Sequence, residues 1–136
     1  MRATVLIVDD EAPLLRAMSR LLGKTFEVQS ASCAAEALGA LTDATRVVLT
    51  DFSMPDGDGL TLARSLRERG FKGTIAVLSA VTESDELQAA LKAGRVDELI
   101  SKPWKSDQLV ERVRVLCDRF PMVEEDPVGA VRPVAA

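Results

Sequence analysis

The chain contains no histidine and no tyrosine. Without histidine it lacks both the commonest general base and the commonest zinc ligand. Cysteine is scarce. Cys33 and Cys117 lie 84 positions apart, without metal-type spacing, and read as free thiols packed as small hydrophobes. No apolar run approaches the length of a membrane span. The first apolar stretch stops at Asp9-Asp10, too early for a signal peptide, so the chain reads as cytoplasmic. Positive charge is in deficit: 17 Lys and Arg stand against 21 Asp and Glu, a net charge of −4. From Pro121 on, Glu124, Glu125 and Asp126 face one Arg132, leaving 18 acids and 16 bases in the body. A weakly acidic body without a basic stripe argues against direct nucleic-acid binding.

What is present is a repeating pattern. At 136 residues the chain is one domain, long enough to bury a core without disulfides or structural metal. Short apolar runs alternate with amphipathic segments five times. The predicted strands are Thr4–Val8, Phe26–Ser30, Arg46–Thr50, Thr74–Leu78 and Glu98–Ser101. Phe26–Ser30 alternates in polarity and reads as an edge strand with one wetter face. The predicted helices are Ala12–Leu22, Cys33–Leu41, Leu60–Arg69, a fourth ending near Ala93, and a fifth capped by Ser106. The fifth carries the stripe Leu109, Val113, Leu116, Cys117 and Phe120. Residues Asp51–Gly59, with one Pro and two Gly, read as a loop. Thr82-Glu83-Ser84-Asp85 reads as a helix cap with acids in the first turn. The segment 121–136 is Pro-rich and aperiodic and reads as a disordered tail or linker. Such alternation implies a doubly wound parallel sheet with right-handed crossovers. Five strands suffice for the flavodoxin-like order 2-1-3-4-5, with a site at the switch point between strands 1 and 3.

Polar residues stand where the predicted strands end: Asp9-Asp10, Asp51, Ser79 and Lys102. In a parallel sheet these ends share one edge, so the side chains converge. Asp10 alone would serve as a helix cap, and Asp51 alone as a turn former. Together they are harder to explain, since two carboxylates about 4 Å apart repel by about 4 kcal/mol at an effective dielectric of 20. A cation is needed, and oxygen ligands in this number suit Mg2+ or Mn2+. Lys102 and Ser79 add an ammonium and a hydroxyl that suit phosphoryl oxygens. A carboxylate is the fitting nucleophile, because Asp forms an aspartyl phosphate. Asp51 is the candidate, central in the sheet and followed by the loop.

Residues 1–120 resemble the receiver domain of two-component response regulators. The motifs are Val5-Leu6-Ile7-Val8-Asp9-Asp10-Glu11, Leu49-Thr50-Asp51-Phe52-Ser53-Met54-Pro55-Asp56-Gly57-Asp58-Gly59, Leu78-Ser79-Ala80 and Lys102-Pro103-Trp104. The resemblance implies that Asp51 takes a phosphoryl group from a phosphohistidine on a sensor histidine kinase or a histidine phosphotransfer protein. It implies Mg2+ held by Asp10, Asp51 and the Ser53 carbonyl, with Asp9 assisting. Lys102 would bind the phosphoryl oxygens, Ser79 would swing toward them, and Lys102-Pro103 would be cis. It also implies a signalling domain with slow self-dephosphorylation, not a turnover enzyme. Output would pass to a downstream protein through the face of helix 4, strand 5 and helix 5, and a second copy of the chain is a further candidate partner.

Two departures from the family pattern stand out. Leu99 occupies the position three before the Lys where an aromatic is usual, so an aromatic-coupled switch is not available. The segment Ala93–Leu99 is one residue longer than the common form. Trp104, the only tryptophan, reads either as a buried anchor or as a partner contact. With 16 residues after Phe120, the chain reads as a stand-alone receiver or one cut from a larger regulator. An Mg-dependent phosphohydrolase acting through an aspartyl phosphate is the competing chemistry, although Ser53 stands where such enzymes place a second Asp. A receiver signalling without phosphorylation is the other alternative. A calcium loop starting at Asp51 fails, since Asp56 replaces the glycine and Leu62 the closing glutamate.

Overall fold

The computed structural model describes residues 2–119. The expectations for 121–136, and for Phe120 in the last helical stripe, lie outside those residues. The elements in chain order are β1 (Thr4–Val8), α1 (Ala12–Leu22), β2 (Glu27–Ala31), α2 (Ala34–Ala40), β3 (Thr45–Asp51), β4 (Ser53–Met54), β5 (Gly57–Asp58), α3 (Gly59–Glu68), β6 (Thr74–Ser79), α4 (Asp85–Lys92), β7 (Glu98–Ser101) and α5 (Ser106–Arg119). Five strands form one parallel sheet in the order β2-β1-β3-β6-β7. Setting the short β4–β5 pair aside, this is the predicted 2-1-3-4-5 order.

Why the central strands read as unbroken apolar runs is visible in the two cores. Successive residues of a strand point to opposite faces. Val5, Ile7, Val47, Leu49, Ala76 and Leu78 face Met18 and Leu22 of α1 and Leu109, Val113 and Leu116 of α5. Leu6, Val8, Val48, Ile75 and Val77 face Ala37 of α2, Leu62, Ala63 and Leu66 of α3, and Leu87 and Ala90 of α4. Both faces are covered, so both alternating sets must be apolar. After β1 the chain moves outward to β2, then returns past β1 to build the other side. With crossovers of one hand, that reversal puts α1 on the opposite face from α2, α3 and α4. The strand ends at the reversal, β1 and β3, carry Asp9, Asp10 and Asp51.

Several local expectations shift for identifiable reasons. Within the predicted loop 51–59, β4 and β5 pair antiparallel, Ser53 with Asp58 and Met54 with Gly57. Gly57 adopts φ 141°, which its lack of a Cβ permits. Helix α3 therefore begins at Gly59, where the Asp58 side chain accepts from Thr61 N–H at 2.8 Å. Asp10 is not a helix cap; Glu11 occupies that position in α1, without a side-chain cap bond. Ser84 is the cap of α4, with Asp85 and Glu86 in its first turn. Ser106 is the first residue of α5, and the carbonyl of Lys105 accepts from Leu109 N–H at 2.8 Å. The α4–β7 turn folds inward: Val96 is buried, and Asp97 exchanges bonds with Ile75 while pairing with Arg67 at 2.9 Å.

Candidate functional site

Carboxylate oxygens of Asp9, Asp10 and Asp51 all lie within 4.8 Å of one another at the carboxyl edge of the sheet. Asp9 and Asp51 are buried and Asp10 is exposed. Register explains the convergence: Val8 pairs with Thr50, so Asp9 and Asp51 emerge side by side. Asp9 is tethered on both sides. Its N–H donates to Ala31 carbonyl at 3.1 Å and its Oδ1 accepts from Glu11 N–H at 2.9 Å. Burial pushes its carboxyl pKa up, and the Asp51 charge adds to that, against the pull of the Glu11 N–H and of Lys102.

Lys102 reaches in from the end of the β7 edge strand, its Nζ 2.5 Å from Oδ1 of Asp51. Its backbone N–H donates to the Ser79 carbonyl at 3.0 Å, which continues the ladder beyond β7. Burial opposes its charge, but the hydrogen bond and charge of Asp51, with Asp9 and Glu11 behind it, outweigh burial and raise its pKa. One ammonium against three carboxylates leaves two negative charges in a small volume. A divalent cation would balance them, and an all-oxygen donor set suits a hard cation of the Mg2+ type.

Ser79 closes β6, is buried, and its hydroxyl is engaged locally. Its Oγ donates to the Val81 carbonyl at 3.2 Å and accepts from the Val81 N–H at 3.1 Å. Val81 itself is 57% exposed. The sequence reading missed this pairing, although a serine bonding the N–H two residues on is a known turn device. Ser53, two residues past Asp51, sits in β4 opposite Asp58. Close below it, Gly59 donates to the Phe52 carbonyl at 2.7 Å, and a Cβ there would lie 2.8 Å from the Asp51 carbonyl oxygen. A side chain larger than hydrogen fits only if the Asp51 backbone or the start of α3 shifts.

The Lys102-Pro103 peptide is cis. Beside it opens a cleft of about 410 Å³ lined by Leu14, Ala80, Lys102, Pro103 and Trp104. Trp104 is half-buried and packs on the α1–α5 core, so it is both an anchor and a wall of the cleft. Leu99 packs against the core on the α2–α3–α4 side. Asp56 and Asp58 stay outside the acidic cluster, bonded instead to the first turns of α2 and α3.

Comparison with known proteins places this arrangement. The model of the response regulator receiver domain matches residues 5–114. The chain is 30% identical over 131 residues to the hydrogenase transcriptional regulatory protein HoxA of Bradyrhizobium diazoefficiens, covering 96% of this chain and 27% of that protein. It is 37% identical over 117 residues to the transcriptional regulatory protein PrrA of Mycobacterium bovis, covering 85% of this chain and 50% of that one. The chain thus spans half or less of these curated relatives. A CheY-like response regulator receiver domain protein from Methanospirillum hungatei superposes with a TM-score of 0.80 at 23% identity, over 88% of this chain and 97% of that one. No helix among the described residues is long and apolar enough to cross a membrane. With the acidic cluster and Lys102 on the switch-point edge of a flavodoxin-like sheet, and a family match across most of its length, the chain belongs to the response regulator receiver domains of bacterial two-component signalling.

Proposed function

We propose that Asp51 is the phosphoryl acceptor of a phosphorelay, fed by a phosphohistidine on a sensor histidine kinase or a histidine phosphotransfer protein. The observation that carries this reading is the pairing of a nearly buried carboxylate with an ammonium 2.5 Å away, inside a cluster of two further carboxylates. In the transfer, a carboxylate oxygen of Asp51 attacks phosphorus. The bond from phosphorus to the imidazole nitrogen breaks, a phosphorus–oxygen bond forms, and the imidazole keeps the electron pair of the broken bond. Lys102 then exchanges its carboxylate contact for the phosphoryl oxygens, so the ammonium is already in place when charge develops. The Ser79 hydroxyl leaves Val81 for a phosphoryl oxygen, which frees the segment 80–82.

Asp10, Asp51 and the carbonyl of Ser53, with Asp9 assisting, are the residues that would hold Mg2+. When bound, the ion supplies charge neutralisation at the transferring group. The apolar cleft beside Lys102, lined by Leu14, Ala80, Pro103 and Trp104, suits the approach of a donor side chain. Output passes to a downstream protein through α4, β7 and α5, where Val115 is 51% exposed. The domain acts as a signalling element whose only chemistry is taking and slowly losing one phosphoryl group.

The test is intact mass after incubation with Mg2+ and acetyl phosphate, with Asp51→Asn in parallel. The expected result is one added phosphoryl group in the wild type and none in the variant. An equal gain in Asp51→Asn would move the acceptor elsewhere, and steady release of inorganic phosphate from a phosphomonoester would favour the phosphohydrolase.

A further inference from the structure

Asp56 sits at the tip of the β4–β5 hairpin, five residues past the acceptor and three past Ser53. Its two carboxylate oxygens diverge to a different element. Oδ1 accepts from Ala34 N–H at 3.1 Å and Oδ2 from Ala35 N–H at 3.2 Å. Both amides belong to the first turn of α2, where backbone donors have no partner within the helix. The residue at the cap position of α2, Cys33, makes no side-chain cap bond to that turn. The turn is instead completed by a side chain more than 20 residues away in sequence. These two amide bonds hold the Asp56 carboxyl below the usual range, with the Cys33 thiol a weaker donor.

From this we infer that Asp56 is a positioning residue for the phosphoacceptor site, fixing the hairpin that carries Ser53 by pinning its tip to α2. The inference rests on the phosphoacceptor reading above. Its physical basis is geometric. The hairpin has only two residue pairs, Ser53 with Asp58 and Met54 with Gly57, and so isolated a ribbon is marginal in water. At its base, Gly59 bonds the Phe52 carbonyl and Asp58 caps α3. At its tip, Asp56 makes both bonds to α2. With both ends held, the Ser53 backbone has one position relative to Asp51. With the tip released, the ribbon keeps only its base, and the Ser53 carbonyl samples positions away from the acidic cluster.

The same α2 turn offers an internal control. Glu36 Oε1 accepts from Ser32 N–H and Ser32 Oγ, both at 2.8 Å; it feels the charge of Asp56, but no described hydrogen bond joins it to the hairpin. Asp56→Ala and Glu36→Ala therefore both weaken the start of α2, but Asp56→Ala alone frees the hairpin tip. Asp56→Asn retains a carbonyl oxygen able to accept from one of the two amides.

The experiment compares the full chain with Asp56→Ala, Asp56→Asn and Glu36→Ala by Mg2+ calorimetry, by thermal unfolding, and by intact-mass time courses with acetyl phosphate at subsaturating Mg2+. Asp56→Ala is expected to weaken Mg2+ binding and slow acceptance by about 3- to 10-fold, below the roughly 10- to 100-fold typical of residues that hold metal ligands directly. Asp56→Asn should recover most of that loss. Glu36→Ala should lower the unfolding temperature while leaving Mg2+ affinity unchanged. Wild-type Mg2+ affinity in Asp56→Ala, or an equal loss in Glu36→Ala, would overturn the inference. A wild type that binds Mg2+ but takes no phosphoryl group from acetyl phosphate or from a phosphohistidine donor would instead sink the acceptor reading, and the calorimetric comparison would still decide the role of Asp56.

Discussion

Lys102 Nζ and Asp51 Oδ1 are 2.5 Å apart across two neighbouring strand ends, and the pair is the only described ion pair within the acidic cluster. The ammonium is partly accessible, at 27% side-chain exposure, and the carboxylate nearly enclosed at 11%. An incoming phosphoryl group can therefore reach the lysine from solvent while the acceptor stays oriented by it. Lys102→Ala should slow phosphoryl acceptance from acetyl phosphate by about 100-fold, the scale of losing one preorganised donor at a developing charge. Mg2+ affinity should hold or rise, because the competing cation is gone. Intact-mass time courses and calorimetry on the same variant separate the two.

Asp10 is the exposed member of the carboxylate cluster. At a free Mg2+ concentration 100 times the dissociation constant, binding should raise the unfolding free energy by about 2.7 kcal/mol. Asp10→Ala should remove most of this increment. Urea denaturation with and without Mg2+ reads it directly.

Gly59 lies against the backbone of the acceptor strand, and an added Cβ would meet the Asp51 carbonyl oxygen at 2.8 Å. Gly59→Ala should destabilise the fold by about 1–3 kcal/mol, as overpacking does elsewhere. It should also slow acceptance, because the contact is relieved only by moving Asp51 or the start of α3. Urea midpoints and phosphorylation rates measured together test both expectations.

The Ser79 hydroxyl bridges both backbone groups of Val81. Ser79→Ala should cost about 1 kcal/mol. It should also raise amide exchange across 80–82 without phosphorylation. Adding acetyl phosphate should change exchange in that segment in the wild type and leave it unchanged in the variant. An unchanged segment in the wild type would show that the hydroxyl stays with Val81.

Cys117 is 5% exposed, and burial raises its thiol pKa from 9.0 to about 11. The folded state thus holds the proton more tightly than the unfolded chain. This contribution is complete below pH 9 and is lost as pH rises through about 11, so stability falls across that window. The loss should approach about 2–3 kcal/mol. Subtracting the urea-derived stability profile of Cys117→Val from that of the wild type isolates it from other effects of alkaline pH. In alkylation at pH 8, the half-buried Cys33 should react well before Cys117.

Much of the fold is legible in the residues because its logic is local and periodic. Val5–Val8 and Val47–Leu49 are apolar at every position, which only a strand covered on both faces requires. Phe26–Ser30 alternates, and the corresponding strand, Glu27–Ala31, is the sheet edge. The edge that gathers the candidate residues was legible for the same reason. Once five strands are parallel, whatever follows each strand lies on one edge, so Asp9, Asp10, Asp51, Ser79 and Lys102 share that edge, although which of them touch is not readable there. The β4–β5 pairing was not legible, since two residues per strand are too few to show any alternation. The tie of Asp56 to Ala34 and Ala35 was hidden as well, because nothing in a Pro-Asp-Gly turn says which helix its carboxylate will face.

The sequence by itself determined the alternation of elements, the parallel sheet, the edge at which the acidic cluster forms, and the family to which these motifs belong. The first three follow from side-chain periodicity and from chain connectivity, which act over short stretches; the family rests on the resemblance of the motifs. Tertiary structure alone decided the contact of Lys102 with Asp51, the engagement of Ser79 by Val81, the inward fold of Val96 and Asp97, and the pinning of the acceptor hairpin to α2. Those depend on register and on the distance between elements far apart in the chain, quantities set by packing two helical layers on one twisted sheet.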